Sequence, residues 1–185
     1  MRTALIVIDV QESFRARKDD WETASAPDIV DRLRPMVELA RSAGSKVVWL
    51  LHTEPGTGTV FDPDLGLVRL MDGLTAVDGE PVLCKTSHNA FTTTNLGQLL
   101  TAEGVTDLVV TGIKTEQCCE TTARLASDLG YRVKFVLDGT VTMPLDRWDG
   151  SGKLSTEEVL DRTASALHGR FAEVVCIKDA MASWM

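Results

Sequence analysis

Short aliphatic runs alternate along the chain with stretches whose apolar positions recur every three to four residues, the pattern of strands alternating with helices. Ala4-Leu5-Ile6-Val7-Ile8 is apolar at every position, as a parallel strand buried on both faces would be. Pro27 and Asp28 then open a stretch in which Ile29, Val30, Leu33, Val37, Ala40 and Ala43 fall at helical spacing, with Gly44 as a left-handed cap. Pro35 should kink or divide that helix. Residues 46–51 (KVVWLL) and 81–84 (PVLC) read as strands two and three, separated by an irregular stretch from His52 to Gly79. A helix over 95–102 carries Leu96, Leu99 and Leu100 on one face, and 107–111 (DLVVT) follows as strand four. A helix over 115–129, closed by Gly130, leads to strand five at 132–137 (RVKFVL). Ser155-Thr156-Glu157-Glu158 has capping-box spacing and opens a helix through Leu167. Residues 173–177 (EVVCI) read as the sixth strand, and 143–153 as a long surface loop.

Strands alternating with helices predict an α/β, Rossmann-like doubly wound fold: a six-stranded, mostly parallel sheet in the order 3-2-1-4-5-6 with helices on both faces. In such a sheet ligands bind outside the carboxyl ends of the strands, where the order reverses between strands one and four. The residues just past those ends are Asp9, His52, Lys85, Gly112 to Cys118, and Asp138. With 185 residues, no internal repeat and no linker, the expectation is a single domain over 1–185.

Composition narrows the function. The net charge of −8 repels phosphate backbones and anionic lipid heads, so neither nucleic acid nor membrane is an expected partner. No apolar run approaches the length of a membrane span, and Asp9 interrupts the first one too early for a signal peptide. Of the four cysteines, Cys118 and Cys119 are adjacent and none are spaced C-x-x-C, which points to reduced thiols and a cytoplasmic location. Cys84 and Cys176 read as core residues, and Cys119 as packing.

No Gly-rich loop follows strand one, so a dinucleotide-binding dehydrogenase lacks its fingerprint. The strand ends offer instead a carboxylate (Asp9), an ammonium (Lys85) and a thiol (Cys118), which suit a base, a fixed charge and a nucleophile. Placed at a helix N-terminus beside a lysine, the thiol of Cys118 should have its thiolate favoured. A phospho-receiver module also places an aspartate after strand one, but it needs another after strand three, where this chain has Lys85.

Three segments carry a resemblance: residues 4–11 (ALIVIDVQ) with Phe14, 85–91 (KTSHNAF), and 112–124 (GIKTEQCCETTAR). In this order and spacing the chain resembles the isochorismatase-like cysteine hydrolases over nearly its whole length. The resemblance implies an Asp9, Lys85 and Cys118 triad, a cis peptide at Ile113-Lys114, and an oxyanion hole from the backbone N–H groups of Lys114 and Cys118. It also implies amide hydrolysis through a thioester on Cys118, with vinyl ether hydrolysis or an inactive small-molecule-binding homologue as alternatives. Gln11, Phe14, His88 and Phe91 are expected in a substrate pocket, with Trp21, Phe61 and Trp148 as further walls. Lys114 either reaches over the pocket or points to solvent. Nicotinamidase members bind a metal through Asp-x-His after strand two; here that stretch reads Leu50-Leu51-His52, so no metal or other cofactor is expected. The family's habit of self-association implies a homodimer or homotetramer.

Overall fold

The computed structural model describes residues 2–184. Its principal sheet contains β1 (Thr3–Ile8), β2 (Lys46–His52), β3 (Val82–Lys85), β4 (Asp107–Ile113), β5 (Arg132–Val141) and, after two short strands, β8 (Glu173–Val175). The strand order is β3-β2-β1-β4-β5-β8, every pairing is parallel, and β8 is the sixth strand of the expected order.

Period-two alternation sends successive residues of the central strands into two separate cores. Leu5 and Val7 pack with Val47, Trp49 and Val109 under Ile29, Leu33, Met36 and Val37 of α3 (Ile29–Ser42). Ala4, Ile6 and Ile8 pack on the other face with Val48, Leu50 and Phe135. That face is covered by Leu96 and Leu100 of α4 (Leu96–Ala102), Ala123 and Ala126 of α5 (Glu120–Asp128), and Leu167 of α6 (Thr156–Leu167). Helices on both faces leave the strand ends as the place where side chains can meet. Among the described residues, no helix is long and apolar enough to cross a membrane.

Several elements differ from the sequence expectation. The α3 helix runs through Pro35 undivided, because Pro35 and Asp31, whose carbonyl loses its partner, both face solvent. Residues 12–21, too short for a periodic signal, form α1 (Glu12–Ala16) and α2 (Lys18–Trp21). The helix expected over 115–129 begins as a π-helical turn, Thr115–Cys119, and continues as α5. The stretch read as a surface loop contains a hairpin of β6 (Leu145–Asp146) and β7 (Lys153–Leu154). The sixth strand stops at Val175, where the Ile177 N–H donates to the Asp138 carboxylate at 2.7 Å and opens α7 (Ile177–Ala182). Cys176 is therefore a helix cap, its Sγ 3.2 Å from Asp179 Oδ2, and is not a core strand residue. Cys84 is exposed because β3 is an edge strand.

Candidate active site

Asp9 leaves the end of β1 with φ of 55°, a conformation few non-glycine residues adopt. Its N–H donates to the Leu50 carbonyl at 2.9 Å, which holds the turn against β2. Across from it, Gly112 has φ of 131°, and a Cβ there would lie 2.0 Å from the Ile8 carbonyl oxygen. Only glycine lets β4 approach β1 this closely, and that approach brings the turn after β4 beside Asp9. The Ile113-Lys114 peptide bond is cis.

Lys85 ends β3 with no exposed surface. Its Nζ lies 2.7 Å from Asp9 Oδ2, 3.1 Å from the Ser87 carbonyl, to which it donates, and 3.4 Å from Cys118 Sγ. The contact with Asp9 is an ion pair, and the Asp9 carboxylate has the Lys85 ammonium and the Cys118 thiol as its neighbours. Cys118 is 6% exposed and sits on the π-helical turn. That turn is fixed from three sides. Thr115 Oγ1 donates to Thr140 Oγ1 on β5 at 2.8 Å, and the Ala90 N–H donates to Thr122 Oγ1 at 3.0 Å. Glu120, buried, pairs with Arg124 within α5 and ties α5 to α6 through Arg162.

Burial raises the Asp9 carboxyl above its ordinary value, and the Lys85 ammonium only partly offsets it. Burial likewise pushes the Cys118 thiol up to about 12, reinforced by the Asp9 charge and opposed by Lys85. For Lys85, burial works against the charge, but Asp9 and then Cys118 outweigh it and the net shift is upward. The expected favouring of the thiolate is therefore overturned: desolvation outweighs the ammonium, and the resting thiol keeps its proton. A thiol, a neighbouring carboxylate with open acceptor sites and a fixed positive charge can move one proton among themselves during attack on a carbonyl.

The remaining expected pocket residues divide. Gln11 is fully buried and spends its amide on Ser13 Oγ and on the N–H and C=O of His52, so it has no group left for a substrate. Phe91 stacks on Tyr131, which precedes β5, with ring centroids 6.0 Å apart, and packs against the core that contains Cys118. Trp148 is 98% exposed between β6 and β7 and walls nothing in this chain. Trp21 packs against the core that contains Phe14 and Phe61. Phe14 and Phe61 meet edge to face at 5.1 Å, and Phe61 meets His52 at 5.5 Å. His88 is exposed, with its ring 6.4 Å from that of His52. Lys114 is partly buried.

Sequence reasoning placed His52 at a ligand-facing strand end but did not count it among the expected pocket residues. Its signal was position alone, the end of strand two beside Lys85. The residues do not fit the metal centre of the nicotinamidase members: Leu50 lies in the core, and among the described residues no group of three or more His, Cys, Asp or Glu could hold an ion. A cavity of about 750 Å³ at the other end of the sheet is lined by Asp107, Tyr131, Arg132 and Phe171 and contains none of the triad.

The family model for the isochorismatase domain matches residues 3–154. A streptothricin hydrolase of Streptomyces noursei is 33% identical over 92% of this chain, which spans 58% of that relative's length. A solved structure of an isochorismatase-family protein from Chromobacterium violaceum superposes with a TM-score of 0.91 at 26% identity, covering 99% of this chain and 93% of that one. A cysteine hydrolase from Pseudomonas syringae gives a TM-score of 0.86 at 26% identity, covering 100% and 94%. With the family model spanning most of the chain and the same fold in these structures, the chain belongs to the isochorismatase family.

Proposed function

We propose that this isochorismatase-family hydrolase cleaves the C–N bond of a small-molecule amide through a thioester on Cys118. The observation that carries the proposal is the contact of one buried ammonium, Lys85, with both Asp9 at 2.7 Å and Cys118 at 3.4 Å. As Sγ attacks the carbonyl carbon, its proton passes to Asp9, and the new oxyanion is met by backbone N–H groups of Lys114 and Cys118. The N–H of Cys118 belongs to the first turn of its helix, where amides lack intrahelical partners. Asp9 then protonates the departing nitrogen, and water activated by the same carboxylate hydrolyses the thioester. Ammonia or an amine and a carboxylic acid are the products.

Burial that raises Asp9 also favours a second reading, protonation of a vinyl ether by Asp9. The contact between Cys118 and the ammonium favours the amide, because acid-catalysed ether hydrolysis needs no thiol.

The test is a screen of small amides, ureido acids and isochorismate, read as released ammonia or acid, with Cys118→Ala and Cys119→Ala. Cys118→Ala should lose several orders of magnitude in rate. Cys119→Ala should keep most activity, since Cys119 is fully buried in the core beneath the turn. Mass spectrometry should place a trapped acyl group on Cys118. A Cys118→Ala protein that hydrolyses amides at a comparable rate would sink the proposal, and turnover of isochorismate alone would support the vinyl ether reading.

A further inference from the structure

We infer that His52 reads the nitrogen of the substrate: its Nδ1 and the carboxylate of Asp9 together receive the two N–H bonds of a primary amide or terminal ureido group presented to Cys118. The inference rests on the hydrolase reading above and names its substrate class.

His52 closes β2 in register with Lys85 on β3. Register partners in a parallel pair project to the same face of the sheet, so the imidazole and the Lys85 side chain leave β2 and β3 on the same side. Its backbone is clamped by Gln11, which accepts from the His52 N–H at 2.7 Å and donates to the His52 carbonyl at 3.0 Å. The edge-to-face contact with Phe61 holds the ring. His52 Nε2 lies 3.3 Å from Glu54 Oε1. A hydrogen bond from the Thr59 hydroxyl keeps Glu54 below the usual carboxylate range, so this partner is ionised and can only accept. Nε2 therefore carries the ring hydrogen in the neutral imidazole, and Nδ1 presents a lone pair.

That lone pair has no partner. Among the described residues, the buried polar side-chain atoms lacking a hydrogen bond include His52 Nδ1 and both oxygens of Asp9. All three are acceptors; Asp9 Oδ2 has the Lys85 ammonium 2.7 Å away, whereas His52 Nδ1 has no donor at all, and leaving such an acceptor buried and unmet costs free energy that a bound N–H would recover. A primary amide brings two N–H bonds on one nitrogen, while its carbonyl oxygen points the other way, toward the backbone amides. A vinyl ether brings no donor at its scissile oxygen. In the reaction the Sγ–C bond forms, the C–N bond breaks, and the thiol proton leaves with the nitrogen as ammonia by way of Asp9. His52 keeps its own proton throughout and acts on recognition and orientation.

The experiment compares kcat/KM for a primary amide and for the methyl ester of the same acid, which lacks the N–H bonds, using nicotinamide with methyl nicotinate and benzamide with methyl benzoate. In His52→Phe the amide-to-ester ratio should fall about tenfold or more, the cost of one buried hydrogen bond. His52→Leu repeats the measurement if the larger ring does not fold. His52→Asn, whose Oδ1 can stand near the place of Nδ1, should recover part of the ratio. A wild type that cleaves both compounds, with the ratio in His52→Phe or His52→Leu within twofold of wild type, overturns the role of His52 alone. A wild type that cleaves no primary amide or ureido acid of the screen above and acquires no acyl group on Cys118 overturns the hydrolase reading and this inference with it.

Discussion

Lys85 keeps its charge without any exposed surface because a carboxylate, a thiol and a carbonyl surround its Nζ. Its ammonium lowers both Asp9 and Cys118 against the larger effect of burial, so removing it should raise both further. Lys85→Met is expected to react more slowly with iodoacetamide at neutral pH, with its thiol titration displaced further upward. Lys85→Arg should recover only part, since a planar guanidinium cannot occupy the same point. Alkylation of Lys85→Met at the wild-type rate across the pH range would show that the ammonium does not act on the thiol. The pH dependence has a definite sign. The proposed amide hydrolysis needs Asp9 ionised, so kcat/KM should fall on acidification at a pH above 3.8, because the folded carboxyl is raised from that value. Lys85 is raised from 10.5, so its contribution to stability is full below that value and is lost only as pH rises through the folded one. The three groups titrate together, and the profile reports the set. At this scale Asp9 and Lys85 were visible in the sequence as residues that follow or end a strand, and Cys118 as a thiol in the turn that β4 feeds. The role of Gln11 was not: that its amide closes on the backbone of His52 follows from a turn geometry no pattern encodes.

Among the elements, β4 and the turn it feeds carry the tightest constraint. Gly112→Ala would force a Cβ to 2.0 Å from the Ile8 carbonyl oxygen at a φ that side chains rarely adopt, and neither backbone can yield without separating β1 from β4. We expect a loss of about 4 kcal/mol or more, at the far end of what single substitutions cost, measured by urea denaturation. A loss under about 1 kcal/mol, the ordinary effect of a point substitution, would mean that the strands do not press together there. The α3 helix offers the opposite case. Pro35→Ala restores an N–H to the exposed Asp31 carbonyl and should stabilise by about 1–2 kcal/mol, less than the full propensity difference because proline also stiffens the unfolded chain. An unchanged or lower urea midpoint would show that the proline costs nothing at this position. The boundary between β8 and α7 escaped the pattern for a physical reason: Val174, Val175 and Ile177 look like one strand until the Asp138 carboxylate, from a distant part of the chain, caps the amide of Ile177.

For the whole molecule, the donor set decides the metal question. His52 has Glu54, Phe61 and His88 as neighbours, and Leu50 is committed to the core where the nicotinamidase members have a carboxylate. Chelation should therefore leave turnover unchanged. Stoichiometric zinc, iron or manganese in the purified protein, with activity lost on chelation and restored by the ion, would refute this. Asp9, Lys85 and Cys118 also meet at the end of the sheet where its topology predicts a ligand, while a cavity of about 750 Å³ lies at the opposite end and contains none of them.

The sequence by itself determined the alternation of strands and helices, the strand order and the three chemical types at the strand ends, because each is written in local periodicity and in residue identity at a boundary. Only the tertiary structure decided the protonation of the thiol, since burial by other elements outweighs the local dipole and charge that a sequence displays. It also decided where the aromatics lie: Phe91 stacks on Tyr131 and Trp148 stands in solvent, because side-chain direction depends on what packs opposite. His52 emerges for the same reason. Its free nitrogen becomes visible only when Glu54, Gln11 and Phe61 have taken up every other part of the residue.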